Sequence, residues 1–100
     1  MGISISHGVP STRSALTISN LGQHLAHALS GSEWAEMRYL FDGSLSVPVS
    51  TPPAKAGRIA SLLTKAAGHR AMDREWGQLA TTLATSAQWA ASVSETWEWT

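Results

Sequence analysis

Between Trp76 and Ser94 the chain carries no charged side chain at all. A helix on a protein surface ordinarily shows Lys, Arg or Glu on its outer face, where they keep it soluble and pair at i,i+4. This stretch is nonetheless strongly periodic. Trp76, Leu79, Ala80, Leu83, Ala87 and Ala90 form one apolar stripe, with Asp73 as N-cap and Glu75 in the first turn. A long helix is predicted, and its outer face (Gln78, Thr81, Thr82, Thr85, Gln88 and Ser92) is polar but neutral. Trp89 breaks the pattern: at about 100° per residue it lies about 140° from Trp76 and about 120° from Leu83. Either this helix is covered on both sides by its own chain, or its outer face meets another one. Ala80, Ala84, Ala87 and Ala91 are small enough to let a partner helix approach closely.

The remaining elements are shorter. Ile3 and Ile5 alternate with Ser4 and Ser6, which predicts a strand ended by Gly8 and Pro10. Ser14–Ser19, with Leu16 and Ile18 on one parity, predicts a second strand that pairs with the first across His7–Arg13. Asn20 and Gln23 have capping-box spacing ahead of Leu21, Leu25, Ala28 and Leu29, and Gly31 closes that helix. Ser32 caps the next, whose stripe is Trp34, Met37, Leu40 and Phe41 before an Asp42-Gly43 turn. Leu45, Val47 and Val49 alternate with Ser44, Ser46 and Ser50 as an edge strand containing Pro48. The Thr51 hydroxyl followed by Pro52-Pro53 starts a third helix with Ile59, Leu62, Leu63, Ala66 and Ala67 inside, ending at Gly68-His69. Glu95–Thr100 predicts a terminal strand with Trp97 and Trp99 on one face. The fold class is therefore α+β: one domain over residues 1–100, with four helices on a small sheet of N-terminal, middle and C-terminal strands.

Four segments, Gly2-Ile3-Ser4-Ile5-Ser6-His7-Gly8, Gly22-Gln23-His24-Leu25-Ala26, Thr51 through Ala60 and Trp97-Glu98-Trp99, carry a resemblance. The chain resembles a small family of uncharacterised actinobacterial, Streptomyces-like proteins, a domain of unknown function. The resemblance implies a self-contained domain from a high-GC bacterium or its phage, and assigns no catalytic or binding residue.

Composition removes several functional classes. The 100 residues include no Cys, so disulfide scaffolds, thiol nucleophiles and cysteine zinc sites are out. Net charge is zero, which excludes a uniformly basic nucleic-acid protein. Met1–Pro10 lacks the features of a secretory leader, no window is apolar enough to span a membrane, and a cytoplasmic location is expected. His24 and His27 have the i,i+3 spacing of paired metal ligands, but no third donor shares their face, and solvated helix positions explain them better. His69 reads as a helix-end residue answering the dipole, and His7 has no identifiable partner. Glu33 and Glu36 are accounted for by the positive end of their helix. No nucleophile elbow and no phosphate loop is present, so neither an enzyme nor a cofactor is expected.

Two features are left. Lys55, Arg58, Lys65, Arg70 and Arg74 concentrate positive charge in one segment, opposed there by Asp73 alone. A nucleic-acid-associated factor using these five residues is one reading; an ordinary solvated face is the better one, because Asp73, Glu75 and Trp76 crowd the N-terminal turn that would read bases. Trp97 and Trp99 could stack a sugar, but a core short of Ile, Val and Phe needs them inside. The preferred expectation is a small non-enzymatic interaction or regulatory protein that binds another protein or itself, as in a homodimer. Its binding residues are then Trp89, Thr82, Thr85, Gln78 and Val93.

Overall fold

The computed structural model describes residues 2–42 and 47–100. At the N-terminus, β1 (Gly2–Ile3) pairs antiparallel with β2 (Arg13–Ser14), so the expected hairpin forms, but its second arm ends after two residues. Ser14 then caps α1 (Ala15–Ala28), its hydroxyl oxygen accepting the Thr17 amide at 3.0 Å. The strand expected over Ser14–Ser19 is therefore the start of a helix, with Ile18 buried and Leu16 70% exposed. Asn20, expected as a cap, lies inside this helix.

Helix α2 (Gly31–Phe41) is capped by Ser30, not Ser32. The Ser30 hydroxyl accepts the Glu33 amide at 3.2 Å while the Glu33 carboxylate accepts the Ser30 amide at 3.0 Å, a complete capping box. Gly31 thus opens α2 instead of closing α1. The two helices cross at Gly22, where an added methyl would overlap the Phe41 carbonyl oxygen.

The middle strand, β3 (Val49–Thr51), starts later than expected; Val47 is exposed, and Gly43, Ser44, Leu45 and Ser46 lie outside the described residues. Helix α3 (Pro53–Ala67) begins with proline at its first turn as anticipated. The expected Thr51 hydroxyl cap is not made, because Thr51 is buried in the strand and bonds the Tyr39 hydroxyl at 3.0 Å. Asp73 occupies the N-cap position of α4 (Arg74–Ser92) without a side-chain hydrogen bond to the helix. At the other end, Glu95 N–H reaches Ala90 O at 2.9 Å and Ser94 N–H reaches Ala91 O at 3.2 Å, a Schellman closure with Ser94 at φ 56°.

The last strand, β4 (Trp97–Trp99), pairs antiparallel with β3, Val49 opposite Trp99 and Thr51 opposite Trp97. Its other edge holds the N-terminal segment: Ser4 and Thr100 exchange backbone hydrogen bonds of 3.2 and 2.7 Å, and Ser6 N–H meets Glu98 O at 2.9 Å. N-terminal, middle and C-terminal segments therefore meet around β4, while β1 and β2 make a second small sheet. Trp97 and Trp99 are fully buried, edge to face at 5.3 Å, and Phe41 meets Trp99 the same way at 5.6 Å. They are core, and each indole buried stabilises the fold by roughly 1.5–3 kcal/mol or more.

α3 and α4 form an antiparallel hairpin with the most extensive contact between any two elements. Ala80, Ala84 and Ala87 are buried in it, and Ala91 lies beside Gly57 of α3. The small residues expected to admit a partner helix admit α3 instead.

Candidate functional site

What α4 leaves uncovered is a neutral strip. Gln78, Thr81, Thr85 and Gln88 are exposed along it, and the indole of Trp89 stands 51% exposed. On one flank a groove of about 660 Å³ runs between α3 and α4, walled by Ala60, Ser61, Thr64, Thr85, Gln88 and Trp89, none ionisable. On the other flank Trp89, Thr82, Thr85 and Ser86 share a pocket of about 310 Å³ with His7 and Gly8. A third depression of about 540 Å³, at the N-terminal end of α4, is lined by Met72, Asp73, Arg74, Gly77, Gln78 and Thr82, so it carries one charge of each sign. Four of the five expected binding residues thus border one continuous strip. Val93, the fifth, is exposed beyond the end of α4 and lines none of these hollows.

The hydroxyls of this strip are partly committed. Thr64 donates to Ala60 O, Thr81 to Gly77 O, Thr82 to Gln78 O and Ser92 to Trp89 O, at 2.8–3.1 Å. Their oxygens remain able to accept. The amides of Gln78 and Gln88 have no hydrogen-bond partner among the described residues.

Trp89 is held by the N-terminal segment, a device that sequence reading missed. The His7 ring meets the indole edge-on at 5.7 Å, and Gly8, at φ 94°, leaves room for it: a methyl there would come within 3.0 Å of the ring. Contrary to expectation, His7 has partners on both nitrogens. The Ser6 hydroxyl oxygen accepts the Glu98 amide at 3.0 Å and so directs its own hydrogen to His7 Nδ1 at 2.6 Å. That leaves His7 Nε2–H to donate to the Glu95 carboxylate at 2.8 Å. These bonds support His7 at φ 61°, a left-handed conformation costly for a side chain of this size. Ser, His and Glu stand in one hydrogen-bonded line here, yet the Ser6 hydroxyl does not line the adjacent pocket. The Gly8 that allows this turn was visible in the sequence; the partner carboxylate, eighty-eight positions away, was not.

The basic segment finds most of its partners within the chain. Arg58 makes a two-pronged contact with Glu36, both bonds 3.0 Å, Lys65 meets Glu33 at 2.6 Å, and the Lys55 ammonium lies 4.2 Å over the Tyr39 ring. Glu33 and Glu36 therefore do more than answer a helix dipole: they clasp α2 to α3. The Lys65 hydrogen bond, aided by the Ser30 amide, holds the Glu33 carboxyl down at about 2, and Arg58 lowers that of Glu36. Arg70 and Arg74 have no ion pair among the described residues.

The other histidines have partners within the chain. His24 stacks on Trp76 at 5.1 Å, His27 Nδ1–H donates to Gln23 O at 2.8 Å, and His69 Nδ1 accepts the Ala71 amide at 3.0 Å, beyond the end of α3. Among the described residues no set of three potential metal ligands converges, and no helix is long and apolar enough to cross a membrane.

Residues 7–100 match the model of a family described as a domain of unknown function, DUF7739. No curated protein and no solved structure matches the chain.

Proposed function

The chain belongs to the DUF7739 family, and from its surface we propose a non-enzymatic protein that acts by binding another protein chain through the neutral strip of α4. The observation that carries this reading is Trp89: a large aromatic side chain, half exposed, fixed by His7 and Gly8, and bordered on its α3 flank by a groove without ionisable walls. Tryptophan is among the residues that contribute most to protein interfaces, and a pre-fixed rotamer lowers the entropy lost on binding. Neutral walls add the second requirement, since a partner can cover them without desolvating a charge. The internal pairing of Lys55, Arg58 and Lys65 with α2 leaves less free positive charge for a phosphate backbone.

The test is a photocrosslinking residue at Gln88 in the native host. A protein adduct should form, survive nuclease and roughly 0.5 M salt, and disappear with Trp89→Ala, while a urea melt shows the variant still folded. A phosphate-contacting surface would lose affinity steeply over that salt range. Adducts that need nucleic acid, or that persist without Trp89, would overturn the reading.

A further inference from the structure

We infer that Glu95 is a positioning residue for Trp89: through His7 it holds the indole in the orientation that the strip presents. The inference rests on the reading of Trp89 as the centre of a binding surface and adds what sets that surface. It starts from the anchors of the His7 ring, whose side chain is only 12% exposed. The Ser6 hydroxyl holds Nδ1 at 2.6 Å, and the Glu95 carboxylate accepts Nε2–H at 2.8 Å. Bonds at both nitrogens fix the plane of the ring, whereas a ring held at Nδ1 alone can swing about that bond. Ser6 is the residue before the turn and is itself tied to Glu98 and Ser86. Past His7 the chain runs exposed through Gly8 and Pro10. The turn has no conformational support of its own, because His7 at φ 61° and Gly8 at φ 94° are both left-handed. Among the described residues, the hydrogen bond that ties the His7 ring to a distant part of the chain is therefore the one to Glu95.

Helix α4 itself sets the position of that carboxylate. The Glu95 amide closes on Ala90 O at 2.9 Å, one residue beyond Trp89, and Ser94 at φ 56° turns the chain back. The linkage thus runs from the end of α4 through Glu95 to His7, and from the His7 ring back to the indole on the same helix at 5.7 Å. Glu98, the other carboxylate at this end of the fold, is engaged by the Ser50 hydroxyl at 2.8 Å and does not replace Glu95. Coupling of this kind is reciprocal. An occupant that covers Trp89 in this orientation also strengthens the Glu95–His7 bond, and loss of the bond weakens the occupant's hold by the same factor. For a carboxylate 64% exposed that factor is about two- to fivefold.

The test is fluorine NMR of the full chain labelled with 5-fluorotryptophan, with Trp89→Phe assigning its resonance among the five tryptophans. Glu95→Ala removes the acceptor, whereas the amide oxygen of Glu95→Gln can still accept the His7 N–H; both keep the main-chain bond to Ala90. The expected result is a Trp89 resonance displaced and broadened by Glu95→Ala and largely restored by Glu95→Gln, with those of Trp34 and Trp99 unmoved. A residue that only stabilises the fold would lower the melting temperature and leave the Trp89 resonance of the folded chain in place. That result, or a Glu95→Gln spectrum matching Glu95→Ala, overturns the inference. The photocrosslink from Gln88 separates this inference from the reading beneath it. Adducts reduced about two- to fivefold by Glu95→Ala and recovered by Glu95→Gln support both. Adducts undiminished although the indole has moved overturn the coupling. A displaced Trp89 resonance in a chain that gives no Trp89-dependent adduct supports the positioning role and removes the binding strip.

Discussion

Ser86 is the residue on which three parts of the chain depend. It is 2% exposed, and its hydroxyl does not turn back onto its own helix as those of Thr81 and Thr82 do. It donates to the Ser6 carbonyl at 2.5 Å and accepts the Trp97 indole N–H at 2.8 Å, linking α4 to the N-terminal segment and to β4. Ser86→Ala removes both bonds and replaces neither. The indole N–H, fully buried, then loses its partner at a cost of about 1–3 kcal/mol, and the half-buried carbonyl adds roughly 0.5–1.5 kcal/mol. Alanine's better helix propensity returns about 0.5 kcal/mol. The net expectation is a loss of about 1–4 kcal/mol, a sizeable share of the ~5–15 kcal/mol that holds a typical domain together. Urea denaturation followed by far-UV circular dichroism measures it; with m near ~1 kcal/mol/M the midpoint should fall by about 1 M or more. A double-mutant cycle isolates the cause. In a Trp97→Phe background there is no N–H to orphan, so Ser86→Ala should cost no more than about 1 kcal/mol. A loss below about 1 kcal/mol in the natural chain, or an equal loss in both backgrounds, would refute the reasoning.

Four further outcomes are expected. Gly22→Ala drives a methyl into the Phe41 backbone, which cannot rotate away as a side chain could, so the loss should reach about 3 kcal/mol in the same urea assay. Ser94→Gly relieves a left-handed serine at the end of α4; about 1–2 kcal/mol of steric cost less about 0.5–1 kcal/mol of unfolded-chain entropy leaves a gain of about 0.5–1 kcal/mol, readable as a raised melting temperature. The Glu33 carboxyl is lowered in the folded state to about 2 from an ordinary 4.5, so its contribution is present above about pH 4.5 and is lost as pH falls toward 2. Glu33→Gln should flatten that acid limb in thermal melts, and an unchanged limb would contradict the clasp. Gly8→Ala combines a left-handed penalty of about 1–2 kcal/mol with a methyl against the indole, so it should shift Trp89 fluorescence and weaken binding at the strip while leaving the α3–α4 groove chemically intact.

What the sequence made legible was decided by range. Helices α3 and α4 carry long stripes, and their buried faces were readable from Ile59, Leu62 and Leu63 and from Ala80, Leu83 and Ala87. The first forty residues failed at their boundaries, because capping is a competition between neighbouring hydroxyls. Ser14 and Ser30 win over Asn20 and Ser32, and Ser30-x-x-Glu33 was the box signature that should have settled the second case. Leu16 and Ile18 mimic a strand because two residues cannot distinguish a period of 2 from one of 3.6. The uncharged face of α4 was half legible: the missing charge marked it and Trp89 stood out on it. The N-terminal wall was not, since Ser6, His7 and Gly8 reach Trp89 only after residues 4–6 have paired with β4.

That pairing also answers the alternative posed by the uncharged helix. Its alanine side is uncharged because α3 packs against it, and its Ser86 side because the chain's two ends meet there. Neither cause reaches Gln78, Thr85 or Gln88, which stay exposed and uncharged all the same, and Trp89 is covered on one side alone, by His7 and Gly8. Packing inside the monomer thus explains two sides of α4 and leaves the third without an intramolecular reason for its composition. The third side is also the one on which the chain fixes a tryptophan at the surface, using a left-handed histidine and a left-handed glycine to do so. Strain of that kind persists only where surrounding bonds enforce it, and here Ser6, Glu95 and Glu98 enforce it. An indole held in this way on an uncharged face is what the proposed docking surface requires, since a side chain fixed beforehand loses less entropy when a partner covers it.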